Sequence, residues 1–199
     1  MDLRTVKTLK LIRNTYIDLC RETSPLSIKV TDLSSRALIN KTTFYRHYKD
    51  ISELADRVEQ EIFDDFWGTF AASQALLEDP ESFLAELLSS AKNPNSDVSV
   101  VFKGKYDSFL GRLGVAVYSA YYDQNKSTAY NSKINFMVGG LLNALGGQFV
   151  SPEMSDEEFI TIYSPFIKTL AKVDTEEVKK PKTTQNVRSH LSDKSFWNT

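Results

Sequence analysis

The stretch Asn40-Lys41-Thr42-Thr43-Phe44-Tyr45-Arg46-His47-Tyr48-Lys49-Asp50 decides how this 199-residue chain is read. Asn40 is a good helix N-cap, and Phe44 and Tyr48, four apart, fall on one helical face. At about 100° per residue, Thr42, Thr43 and Arg46 fall on the far side. The spacing therefore predicts a helix over Lys41 to Tyr48 that hides its rings and shows two small hydroxyls and a guanidinium.

Downstream, Asp50 with Glu53 three residues on forms a capping-box-like start, and Leu54, Val58, Ile62 and Phe66 step at intervals of four along a long helix. Upstream, Leu33 and Ala37 mark a helix of about two turns with Thr31 as its N-cap. Before it, Leu9, Ile12, Tyr16 and Leu19 share one face of a first helix from about Arg4 to Glu22, which Pro25 brings to a stop. Three helices with a tight turn between the second and third, followed by a long connecting helix, form the layout of a helix-turn-helix head. The DNA major groove admits one helix. It needs short hydrogen-bonding side chains near the helix N-terminus, and cationic or phenolic groups at the margins for phosphates. Lys41 through Tyr48 supplies that set.

Ile28-Lys29-Val30-Thr31-Asp32-Leu33, followed by Ala37-Leu38-Ile39 and the run from Asn40 to Asp50, resembles the TetR family of bacterial transcriptional regulators, particularly the branch common in Firmicutes. The resemblance extends over about residues 5 to 60. It implies that Leu33, Ala37, Ile39, Phe44 and Tyr48 pack inside the head. It places Thr42 and Thr43 beside bases, and Thr31, Tyr45 and His47 mainly on phosphates. Lys41 and Arg46 can serve either purpose. Two positions depart from the family pattern. Leu38 stands where Gly is usual, so a left-handed backbone there carries a cost. Ile51 stands where Lys is frequent, with Lys49 as a partial substitute. Taken alone, His47 reads as a surface imidazole and Tyr45 as a half-buried aromatic; within this motif both read as phosphate contacts.

Composition narrows the classes. With 41% hydrophobic and 25% charged residues there is enough apolar material for one sizeable core or two small ones. One cysteine and two histidines exclude a disulfide framework, a Cys-based zinc site and a His-rich metal centre. Cys20, on the apolar side of the first helix, reads as a core filler, and no cofactor is implied. No apolar run approaches the roughly 18 residues of a membrane helix. Arg4, Lys7, Lys10, Arg13 and Asp18 interrupt any signal core, so a cytoplasmic protein without membrane association is expected. Charge is asymmetric: residues 1 to 50 hold ten Lys or Arg against five Asp or Glu, whereas the remainder holds 14 against 21. A basic head on an acidic body points to a nucleic-acid partner. G-x-S-x-G, P-loop and G-x-G-x-x-G motifs are missing, which argues against an enzyme.

Beyond Phe63 the pattern stays helical and aromatic. Pro80, Asn93-Pro94-Asn95, Asp123-Gln124-Asn125 and Ser151-Pro152 set breaks that leave helices near 81 to 92, 98 to 122, 128 to 148 and 155 to 172, the last with a Ser155–Glu158 capping box. The many aromatics can line a pocket or fill a core, so no ligand residues are assigned. Family resemblance implies a cavity for an inducer and a homodimer formed through the last two long helices. Gly139, Gly140, Gly146 and Gly147 lie within one of these, at about 1 kcal/mol each relative to Ala. Close approach of a second helix would compensate; an aromatic from the same subunit or a helix end are the alternatives.

The expectation is an all-α protein: residues 1–50 a helix-turn-helix DNA-binding domain, 51–172 a helical effector-binding and dimerisation domain, and 173–199 a flexible tail. The expected function is that of a TetR-like ligand-responsive regulator, a repressor, that binds a palindromic operator as a homodimer and is released by a small-molecule effector. The alternative is a TetR-like adaptor acting through a protein partner, for which Leu38 and Ile51 are the only support.

Overall fold

A computed structural model describes residues 2–71 and 76–173, and these are all-α. The helices are α1 (Leu3–Glu22), α2 (Val30–Arg36), α3 (Lys41–Tyr45), α4 (Ile51–Ala71), α5 (Pro80–Lys92), α6 (Asp97–Val101), α7 (Tyr106–Tyr121), α8 (Thr128–Val150) and α9 (Asp156–Lys172), with a short 3-10 turn at Pro25–Ser27. Apart from Val173, the expected tail, with His190, Phe196 and Trp197, lies outside the described residues. No helix among the described residues is long and apolar enough to cross a membrane.

Helical periodicity does what it should in α1, where Ile12, Tyr16, Leu19 and Cys20 are buried, and in α4, where Leu54, Val58 and Ile62 are. α1 packs on α2 and α6, α4 on α6 and α7, α5 on α9, and α7 on α8. The buried side chains form one contiguous cluster from Ile12, Leu33 and Phe44 to Phe109 and Phe159. Burial pushes the Cys20 thiol up to about 11, in keeping with a packing role.

Helix α2 begins two residues earlier than Thr31 as its N-cap would allow. Lys29 is its N-cap, and its carbonyl accepts the Asp32 and Leu33 amides at 3.1 Å each. Thr31 sits inside the first turn with its hydroxyl donating to the Asp32 carboxylate at 3.3 Å. Burial of Ile28 and Leu33 on either side sets where the chain enters the helix, and this outweighs the capping preference of a hydroxyl. Asn40 does occupy the N-cap of α3, but its side chain makes no capping hydrogen bond. α3 is also shorter than expected. It ends at Tyr45, although amide bonds from Arg46 to Thr42 (3.1 Å) and from Tyr48 to Phe44 (3.0 Å) continue the coil as a turn.

The turn joining α2 to α3 is a Schellman motif. Ile39 N–H donates to the Ser34 carbonyl at 3.0 Å, Leu38 N–H donates to that of Ser35 at 3.3 Å, and Leu38 takes the left-handed backbone at φ 53°. Leu38 thus keeps the geometry a glycine would give, with its side chain 93% exposed and no packing to offset the strain. Leu38→Gly is expected to raise stability by about 0.5–1 kcal/mol, since relief of left-handed strain exceeds the added unfolded-state entropy. A urea midpoint no higher than that of the parent would show that the turn is unstrained.

The expected single helix over 98 to 122 is instead two, α6 and α7. Gly104 adopts φ 73° between them, so the chain turns and both Phe102 and Phe109 reach the core with ring centroids 5.4 Å apart. Seven residues separate these rings, a spacing that also suits one continuous helix, which is why periodicity alone misses the break. The Ser155–Glu158 capping box is present at the start of α9.

Candidate nucleic-acid interface

Contacts of two buried rings, Phe44 and Tyr48, orient α3. Phe44 is fully buried and meets the ring of Tyr45 edge-on at 5.5 Å and that of Tyr48 at 5.6 Å. Tyr48 is buried in turn beneath the Arg57 guanidinium of α4, 5.3 Å from its ring centroid. With that side held inward, Lys41, Thr42 and Arg46 are exposed, Thr43 is half-buried, and Tyr45 is 56% exposed. Thr31 and Lys49 are exposed and His47 is half-buried. Ala37 is buried and Ile39 is packed against the core, as expected of the inner face.

The exit from α3 is clamped. Asp50 accepts the Glu53 amide at 2.9 Å, while the Glu53 carboxylate accepts the Lys49 amide at 2.7 Å and the Arg57 guanidinium at 2.6 Å. The expected box is therefore displaced: Glu53 reaches back to Lys49 rather than to the cap residue. The Lys49 amide hydrogen bond and its guanidinium partner hold the Glu53 carboxyl below its ordinary range. Ile51, where a lysine was the family expectation, is half-buried against the core. Arg36, at the end of α2, forks onto the Glu22 carboxylate with bonds of 2.6 and 2.5 Å, tying α2 to the end of α1. Neither the Glu53 contacts with Lys49 and Arg57 nor the Arg36 fork is legible as such in the capping box, which gives only the Asp50–Glu53 bond. The first has a signal in the Glu53–Arg57 spacing of four; the second joins residues 14 apart and has none.

A second cluster missed from sequence joins this region to the rest of the protein. Glu59 of α4 is fully buried, accepts the Ser108 hydroxyl at 2.7 Å, pairs closely with Lys105, and lies 3.6 Å from Arg112. Its position four residues from both Ala55 and Phe63, on an apolar face, is the local signal for a buried carboxylate. Arg21 of α1 meets Asp97 of α6 at 2.5 Å, and Arg13 meets Glu61 at 2.9 Å.

The geometry defines a helix-turn-helix arrangement at α2 and α3, in an all-helical chain, with its polar side turned outward. No family model matches the chain. It is similar to the uncharacterized HTH-type transcriptional regulator YxbF of Bacillus subtilis (strain 168), with 29% identity over 98 residues, 47% of this chain and 26% of that protein. The chain thus spans about a quarter of the length of that relative. Among solved structures, the fatty acid degradation regulator FadR from Bacillus halodurans aligns over 83% of this chain and 95% of its own, with 11% identity and a TM-score of 0.38.

Proposed function

We propose that this chain is a TetR-like, ligand-responsive transcriptional repressor that binds a palindromic operator as a homodimer. Residues 1–50 act as the DNA-binding head and 51–172 as the effector-binding and dimerisation region. The observation that carries this reading is the two-sidedness of the recognition segment: Phe44 is wholly buried while Thr42, Lys41 and Arg46 lie open beside it. Thr42 and Thr43 face bases; Lys41 and Arg46 reach bases or phosphates; Thr31, Tyr45, His47 and Lys49 hold the phosphate backbone. Similarity to a helix-turn-helix regulator supports the same class.

Selecting bound fragments from a genomic DNA pool tests it, because a two-fold symmetric site must emerge. On that site Arg46→Ala or Thr43→Ala changes base preference, with a loss of about 1–3 kcal/mol for each base contact removed. Tyr45→Phe weakens all sequences alike. Unchanged binding by all three removes this face from the interface.

The dimer reading rests on α8 and α9. Phe136, Gly139, Gly140, Asn143, Gly147 and Val150 are all exposed and follow one another along a single face of α8. A Cβ added at Gly139, Gly140 or Gly147 would meet nothing within 4 Å, so among the described residues no aromatic of the same chain accounts for these glycines. Two glycines do admit a neighbour of the same chain: an added Cβ would stand 2.5 Å from a Leu142 methyl at Gly114 of α7, and 3.6 Å from a Leu110 methyl at Gly146 of α8. Phe136 and Phe166 are 73% and 62% exposed on the rim of an apolar groove of about 260 Å³ between α8 and α9. A second copy laid along this groove buries both rings and lets two helices meet at the glycines. Phe136→Glu combined with Phe166→Glu is expected to halve the mass seen by sedimentation equilibrium without lowering the melting temperature. An unchanged mass would place the interface elsewhere.

A further inference from the structure

The first turns of α1 carry Arg4, Lys7 and Lys10, all exposed, and among the described residues none of the three pairs with a carboxylate. The other cations of α1 and α2 are all taken: Arg13 by Glu61, Arg21 by Asp18 and Asp97, and Arg36 by Glu22. Bare positive charge is costly here. Like charges three apart on a helix repel, and Arg4, in the first turn, also opposes the helix macrodipole. Asp2 caps the helix by accepting the Arg4 amide at 3.3 Å, but the first turn itself holds no acidic residue. Packing does not account for the stretch either. No residue of α1 ahead of Ile12 is buried, and Leu3 and Val6 are exposed.

Its place in the fold is beside the recognition segment. Lys10 lines a groove of about 680 Å³ together with Val6 and Leu9 of α1, Tyr48, and Arg57 of α4. Of the carboxylates sharing this groove, Glu61 is taken by Arg13 and Asp64 accepts the Gln60 amide. The first turns of α1 thus stand next to the exit of α3, where Arg46 and Lys49 are likewise exposed.

We infer that this stretch of α1 is a phosphate-binding arm: Arg4, Lys7 and Lys10 contact the backbone of duplex DNA just outside the half-site read by α3. The inference rests on the regulator reading and extends its interface beyond the helix-turn-helix. Duplex DNA is the occupant that the charge pattern favours, since it presents one negative charge about every 1.7 Å of its axis and each cation laid along it releases a counterion. Such an anion relieves the repulsion within the row. The arm adds affinity but no base preference, because phosphate contacts carry no sequence information.

The test uses the full chain and the DNA fragment it selects from a genomic pool, either trimmed to the two-fold site or extended by one helical turn on each side. The parent is expected to bind the extended fragment at least about tenfold more tightly, and Arg4→Gln, Lys7→Gln and Lys10→Gln together to remove that gain. The slope of log affinity against log salt falls by about 0.9 per cation removed for each chain bound, with base preference unchanged. The melting temperature is no lower than the parent's, because exposed and mutually repelling charges are removed. A control variant, Lys103→Gln, Lys126→Gln and Lys172→Gln, removes the same charge from exposed positions of the body and leaves the slope alone. A slope within about 0.5 of the parent's, or equal losses in the two triple variants, overturns the inference. So does a loss of binding to vesicles of equal phosphatidylcholine and phosphatidylglycerol without a loss of DNA affinity, which gives the arm to a membrane surface. A chain that selects no DNA sinks the regulator reading and the arm together. One that selects a two-fold site to which the arm variant binds as the parent does sinks the arm alone.

Discussion

Phe44→Ala is expected to destabilise the protein by about 3–5 kcal/mol and to abolish specific DNA binding. The ring is wholly buried, and it is the only fully buried side chain contributed by α3. A helix of five residues has no independent stability, because nucleating one turn costs more than so few hydrogen bonds return. Its orientation therefore depends on the Phe44 ring and the contacts that ring makes with Tyr45 and Tyr48. Removing it leaves a cavity in the core and frees the polar face to turn. Urea titration gives the loss, and Thr43→Ala, which removes no buried ring, should shift DNA affinity with little change in midpoint. A loss below about 1 kcal/mol for Phe44→Ala would mean that something else anchors α3.

Glu59→Ala should be comparably damaging, at about 3–5 kcal/mol, because removing one partner of a buried pair strands the others. Lys105 and Arg112 keep only 22% and 21% of their side chains exposed, so neither recovers full hydration when the carboxylate is lost. Among the described residues the Arg112 Nε is already buried without a partner. Glu59→Gln preserves shape and the possibility of a Ser108 bond, so the difference between the two variants reports the charge itself. If both unfold at the parent's urea midpoint, the cluster does not hold α7 to α4. Hydrogen exchange offers a second readout. Amides at the start of α7 should exchange faster in Glu59→Ala, while those of α9 should not.

The two-sidedness of α3 was legible because its information is local. Phe44 and Tyr48 share a face with Thr42, Thr43 and Arg46 opposite, and four-residue spacing says so before any tertiary contact forms. The same holds for Leu54, Val58 and Ile62, and for the Ser155–Glu158 box, where both partners lie within one turn. The misreadings share a different cause. Thr31 has the right chemistry for a cap, yet buried Ile28 and Leu33 place the start of α2 at Lys29. The break between α6 and α7 is invisible to periodicity, and the Lys105 that caps α7 finds its carboxylate 46 residues away on α4.

What the sequence by itself determined was the all-helical class, the place of the helix-turn-helix segment and the two-sided character of α3, since these follow from spacings shorter than two turns. Tertiary structure alone decided that Leu38 keeps a glycine's backbone, that Glu59 lies in the core among cations, and that Lys10 of α1 shares one groove with Tyr48 and Arg57. The physical reason is distance along the chain. Helical propensity and periodicity act between neighbours, whereas buried ion pairs, strained turns and shared cavities depend on surfaces that meet only after the chain has folded.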